Sequence, residues 1–176
     1  MRDRKDLRVF FALWPDDDTR LRLHRCALSL ALDRRARRVP DYNLHLTLHF
    51  IGNIHRAEID CLQQRAREVV GQAFELIIDH AGSFPKPRVA WFGCSEPPQA
   101  LIRLHEDLGR RLRSCGFKPE KRRFQPHLTV ARKITAPPPV PAFDPVAWRV
   151  GQFALIESRA HENGVKYDPV EVYPLI

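Results

Sequence analysis

The chain has 176 residues and a formal charge of +8, from 29 Lys+Arg against 21 Asp+Glu. That length suits one domain, and 44% apolar with 28% charged residues is ordinary globular composition, which excludes wholesale disorder. No apolar run approaches the roughly 18 residues of a membrane-spanning helix. The short run 9–14 stops at Pro15 and three aspartates with no cleavage site, unlike a signal peptide.

Leu7 to Leu13, rich in aromatic residues, predicts a first strand. Asp16, Asp17 and Asp18 after Pro15 suit a helix start, with Leu21, Leu23, Leu28 and Leu32 loosely at helical spacing. Pro40 to Asn43 is a turn, followed by a strand over Leu44 to Ile51 that ends at Gly52-Asn53. Glu58 to Val70 predicts a helix, Phe74 to Asp79 a strand, Ala81 to Arg88 a loop with two prolines, and Val89 to Phe92 a short strand. Leu101, Leu104, Leu108 and Leu112 mark one face of a helix over Gln99 to Cys115, closed by Gly116. His127 to Ala131 is a further strand, the proline-rich Ala136 to Pro145 an irregular connection, and Phe153 to Arg159 and Val170 to Tyr173 closing strands. Strands alternate with helices without a P-loop or G-x-G-x-x-G, which predicts a mixed α/β (α+β) architecture.

Cys26, Cys61, Cys94 and Cys115 lie far apart and form no C-x-x-C pair, which leaves neither a zinc ribbon nor a thioredoxin-type motif; without a secretory signal they read as reduced thiols of a cytoplasmic protein. The positive charge is concentrated in Arg34, Arg35, Arg37 and Arg38 and again in Lys118, Lys121, Arg122 and Arg123. Such runs are often solvated surface, but they also suit a polyanionic partner.

One element occurs twice. Asn43-Leu44-His45-Leu46-Thr47-Leu48 is echoed by Gln125-Pro126-His127-Leu128-Thr129-Val130, each after a turn. In a strand, His45 and Thr47 share one face, while Leu44, Leu46, Leu48 and Phe50 take the other; His127 and Thr129 stand opposite Leu128 and Val130. Two related half-domains facing each other would bring both His-Thr pairs to one cleft, within a single two-lobed domain spanning 1–176. That set suits phosphodiester chemistry. Imidazole, with an ordinary pKa of about 6.5, gives and takes protons near neutrality. A pair of them can activate a nucleophile and protonate a leaving oxygen, and the threonine hydroxyls can donate to phosphate oxygens. No metal or other cofactor is called for, and no carboxylate or Cys/His set is spaced to hold a metal. A zinc pair from His45 and His49 fails because position 46 is leucine and the local period is two. His24, His55, His80, His105 and His161 read as surface or structural.

These words make the chain resemble the 2H phosphoesterase superfamily, defined by two His-x-Thr/Ser-x motifs. Within it the chain is similar to the RNA 2′,3′-cyclic phosphodiesterases, historically called RNA 2′-5′ ligases. The resemblance runs from Arg8-Val9-Phe10-Phe11-Ala12-Leu13 through the first motif with His49-Phe50-Ile51-Gly52. It continues through Val89-Ala90-Trp91-Phe92-Gly93 and Phe124 to Arg132, and ends with Tyr167 and Tyr173-Pro174-Leu175. It implies a two-lobed duplicated fold, antiparallel sheets with outer helices around a central cleft. It implies metal-independent hydrolysis of RNA 2′,3′-cyclic phosphate ends, or cyclic nucleotides, to 2′-phosphates, with a weak reverse 2′-5′ ligation. His45 would be the acid for the departing O3′ and His127 the base, roles that the sequence leaves exchangeable. Thr47 and Thr129 would grip phosphate oxygens, and Arg132 would stand near the phosphate. Regular strand parity turns Arg132 away, so it reaches the cleft only through a twist or bulge after Ala131. Phe11 and Phe84 are the candidates to stack a base, while Trp91 reads as core. The expected partner is RNA, with no membrane and no second subunit. The rival readings are a 2H enzyme acting on ADP-ribose 1″,2″-cyclic phosphate or 2′-5′ oligoadenylate, a non-catalytic RNA-end binding module, and a scaffold.

Overall fold

The computed structural model describes residues 6–139, 142, 144–162 and 164–176. The first strand, β1 (Asp6–Leu13), buries Leu7, Val9, Phe11 and Leu13 on one face. The helix α1 (Asp17–Leu28) starts where the Asp16 carboxylate accepts from the Thr19 amide at 2.8 Å. It ends before Leu32, and the residues it buries are Thr19, Leu23 and Ala27; Leu21 and Leu28 are exposed. Arg38 explains the early stop, because its guanidinium donates to the carbonyls of Ala27 and Leu30 at the helix end. Arg37–Arg38 themselves form a short strand, β2.

The strand β3 (Leu46–His55) runs past Gly52, which sits at φ +92° beside a register shift, instead of stopping there. The helix α2 (Ile59–Arg67) leads to β4 (Phe74–Ile78). The segment expected as a loop contains a strand, β5 (His80–Phe84), paired along its length with β6 (Val89–Gly93). Its sequence is small and polar because the Trp91 ring lies across it: a Cβ at Gly82 would meet that ring at 2.4 Å. The helix α3 (Gln99–Leu112) buries all four leucines of its predicted face and closes through a 3₁₀ turn at Gly116, φ +83°. Then come β7 (His127–Arg132), β8 (Val146–Val150), β9 (Gln152–His161) and β10 (Gly164–Pro174). The proline-rich connection Ala136 to Pro145 lies partly outside the described residues, and the part described is irregular.

Pairing is antiparallel throughout. The order β10-β9-β1-β3-β7-β6-β5, with β2 beside β7, makes one eight-stranded sheet; β4 and β8 make a separate pair. The sheet is two half-sheets joined at β3 and β7 by a single residue pair, Leu46 with Leu128. The helices, β4 and β8 cover one face around the main core, which holds Phe11, Leu44, Leu46, Leu128, Val130 and Trp148. Cys61 and Cys115 are joined, with Cα atoms 5.8 Å apart, which corrects the expectation of four free thiols; Cys26 and Cys94 are free. The bond ties α2 to the turn after α3, two elements 54 residues apart that sequence spacing alone does not bring together. Among the described residues no helix is long and apolar enough to cross a membrane.

Candidate active site

The seam between the half-sheets carries the repeated motif. With Leu46 opposite Leu128, antiparallel register sets His45 toward Thr129 and Thr47 toward His127. Leu44, Leu46, Leu128 and Val130 are buried on the helix side, and the four polar residues stand half-buried on the other. The two imidazoles are held identically. His45 Nδ1–H donates to the Asn43 carbonyl at 2.7 Å, and His127 Nδ1–H donates to the Gln125 carbonyl at 2.8 Å. A carbonyl can only accept, so each ring carries its proton on Nδ1, and Nε2 is the basic nitrogen.

Both histidines are held below the ordinary imidazole pKa. Burial pushes His45 down to about 4, and the Arg132 and His127 charges push the same way against the Asn43 bond. Burial also lowers His127, with Arg132 adding to it. Arg132 therefore acts on both rings, and its approach has a structural cause. Thr129 pairs with Trp91 and Ala131 with Ala90, leaving Val130 as an extra residue. This bulge buries Val130 and Ala131 together on the core side and returns Arg132 to the face of His127 and Thr129, one residue earlier than the parity argument required.

A second bulge lies in β3. Phe11 pairs with His49 and Ala12 with Thr47, so Leu48 is extra. His49 consequently joins Leu48 on the helix side, where its ring Nε2–H donates to the His105 carbonyl at 2.8 Å and the two rings stack at 4.1 Å. Phe50, expected in the core, is instead 52% exposed beneath the Arg8 guanidinium.

The expected aromatics divide. Phe11 is fully buried against Phe153 and Tyr173, on the face of β1 turned away from the cleft, so it has no surface for a base. The neighbour that strand alternation sends the other way, Phe10, packs at 4.9 Å from His45. Trp14 stacks on His45 at 5.1 Å and 9°, and Tyr167 meets it edge-on at 5.1 Å, completing an aromatic box. Even-numbered alternation in β1 was the available signal for Phe10; Trp14 and Tyr167 needed the tertiary fold. Phe84 stands edge-on to His127 at 5.1 Å. Trp91 is buried, as a core residue would be, but on the cleft side, 6.2 Å from His127 and 5.3 Å from Phe84. Among the described residues no group of three or more His, Cys, Asp or Glu side chains gathers as metal ligands would.

The sequence pattern of the 2′-5′ RNA ligase superfamily matches residues 15–162. The RNA 2′,3′-cyclic phosphodiesterase of Escherichia coli is 30% identical over 172 residues, 96% of each chain. That of Thermus thermophilus is 31% identical over 185 residues, 96% of this chain and 90% of its own. Among solved structures, Escherichia coli LigT complexed with 3′-AMP superposes with a TM-score of 0.87 at 27% identity, over 97% of this chain and 99% of that one. The family match spans most of the chain and the likeness in fold nearly all of it, and this chain belongs to the 2′-5′ RNA ligase superfamily.

Proposed function

We propose that this protein hydrolyses RNA 2′,3′-cyclic phosphate ends to 2′-phosphates without a metal ion, using His45 and His127 as a proton-transfer pair. The observation that supports the reading is the matched pair of Nδ1–H bonds, which leaves Nε2 as the basic nitrogen of each ring on one face of the seam. Water attacks phosphorus and gives its proton to His127 Nε2. The P–O3′ bond breaks, and O3′ takes the proton that His45 Nε2 brought. The pair starts and ends with one proton between its two rings, so a single uptake and release resets it. Thr47 and Thr129 donate to the nonbridging oxygens, and Arg132 balances the charge that grows on them. Phe84, beside His127, is the surface for the terminal base. Joining a cyclic phosphate end to a 5′-hydroxyl is the same displacement with that hydroxyl in place of water: it attacks phosphorus, O3′ leaves with a proton, and a 2′-5′ linkage remains, using the same pair. The chain acts on RNA ends as a monomer in the cytoplasm.

The test is incubation in EDTA with an RNA ending in a 2′,3′-cyclic phosphate, beside His127→Ala. A 2′-phosphate made by wild type alone is the expected result. Equal turnover by the variant, or none by wild type, refutes the assignment.

A further inference from the structure

Beside His127, the end of β6 and the segment leading into β7 border a hollow. A cavity of about 530 Å³ opens there, lined by His80, Trp91, Cys94, Arg123, Phe124 and Pro126 among others. It borders the proton-transfer site: Trp91, part of its wall, lies 6.2 Å from the His127 ring, and Pro126 directly precedes His127.

Its walls are fixed from behind. Phe124 stacks on His105 at 3.8 Å and 10°, and His105 stacks on the buried His49. Across the opening, the Asp79 carboxylate accepts from the Ser95 amide at 2.8 Å and from its hydroxyl at 2.6 Å, which pins the loop after β6. Asp79 is thereby engaged with Ser95. Arg123 is exposed at the rim and forms no ion pair among the described residues, whereas neighbouring Arg122 pairs with Glu120.

Aromatic and imidazole walls with one open guanidinium suit a base and a phosphate. A 3′-terminal cyclic phosphate has a neighbouring nucleotide on one side only, the 5′ side. We infer that this cavity is the subsite for the nucleotide preceding the cyclic phosphate, with its base among His80, Trp91 and Phe124 and its phosphate at Arg123. The inference rests on the hydrolase reading above and deepens it: the site is built for an RNA strand, and a mononucleotide fills only part of it.

The test compares kcat/KM for adenosine 2′,3′-cyclic phosphate and for a trinucleotide with the same cyclic end, at one salt concentration. Wild type, Arg123→Glu and Arg122→Glu are used; the last makes the same charge change outside the cavity lining. Wild type should favour the trinucleotide by about tenfold or more, the scale of one stacked base. Arg123→Glu should lose most of that preference and keep its mononucleotide rate, and Arg122→Glu should retain both. The subsite is refuted if wild type treats the two alike, or if Arg123→Glu slows both equally, which would put the terminal nucleoside in the cavity. It is also refuted if Arg122→Glu costs as much as Arg123→Glu, which would mean diffuse attraction. Turnover of neither substrate overturns the hydrolase reading, and the subsite with it.

Discussion

Gly93 lies behind His127, and an alanine there should disturb the reaction without touching a reacting group. A Cβ at Gly93 would sit 2.8 Å from the Pro126 carbonyl oxygen and 3.1 Å from the edge of the Trp91 ring. Ordinary contact begins near 3.4 Å, so the Pro126 carbonyl must give by about 0.6 Å. It is backbone, one peptide from His127, whose ring is aimed by its bond to Gln125 on the other side of that proline. Misplacement of a catalytic group by about 1 Å costs on the order of 10²-fold, so about 0.6 Å corresponds to roughly a 10- to 20-fold loss in kcat. Overpacking of this kind should also cost about 1–3 kcal/mol of stability. Single-turnover cleavage of an end-labelled RNA gives the first quantity and urea unfolding the second. Gly151→Ala is the control, since a Cβ there meets nothing within 4 Å. Wild-type kcat in Gly93→Ala, with the folded fraction verified, would refute the coupling of the Pro126 backbone to His127.

Burial holds both His45 and His127 below the ordinary imidazole range, which disfavours the imidazolium form that the proposed acid needs. The enzyme's kcat/KM should therefore rise as pH falls from about 7.5, with the apex of the bell below the ordinary imidazole value of about 6.5. Arg132→Gln removes a cation that disfavours both imidazolium forms, so the profile should move to higher pH; an unmoved or acid-shifted profile refutes the electrostatic role. The Cys61–Cys115 bond closes a 54-residue separation, which the chain-entropy model values at about 4 kcal/mol. Dithiothreitol or Cys61→Ser should lower the urea midpoint accordingly, and titration of four free thiols in the unreduced protein would show the bond absent. Asp33 accepts from Thr135 Oγ1 and from the amides of Arg35, Ala36 and Thr135, which holds its carboxyl down at about 2. A carboxyl lowered by folding stabilises above its unfolded pKa and loses that contribution as pH falls through the folded value. Asp33→Asn should thus remove an acid-sensitive part of stability between about pH 4 and pH 2, read from urea midpoints across that range.

Legibility in the sequence followed the range of the forces involved. The His-x-Thr repeat was readable because leucine alternation is a local, period-two signal, and α3 because its leucines keep one helical face. Alternation fails wherever a strand gains a residue. The extra Leu48 exchanged the expected places of His49 and Phe50, and the extra Val130 brought in Arg132. Phe11 was misread for a related reason: adjacent aromatics in β1 differ only in parity, and Phe10 has the parity that meets His45. β5 was invisible because its partner supplies the bulk, Trp91 over Gly82. The cysteine pair, likewise, depends on how α2 and α3 meet, which no local pattern encodes.

The seam at Leu46 and Leu128 has a mechanical consequence. Within each half, the histidine, its carbonyl partner and its threonine are carried on one stretch of chain and move as a unit. Between the halves, the backbone ladder contributes one residue pair. Main-chain pairing thus fixes the aim of each imidazole within its own half, whereas the span between the two rings is held chiefly by side chains of the core that the halves share, so a smaller residue at Leu46 or Leu128 should alter that span more than the aim of either ring.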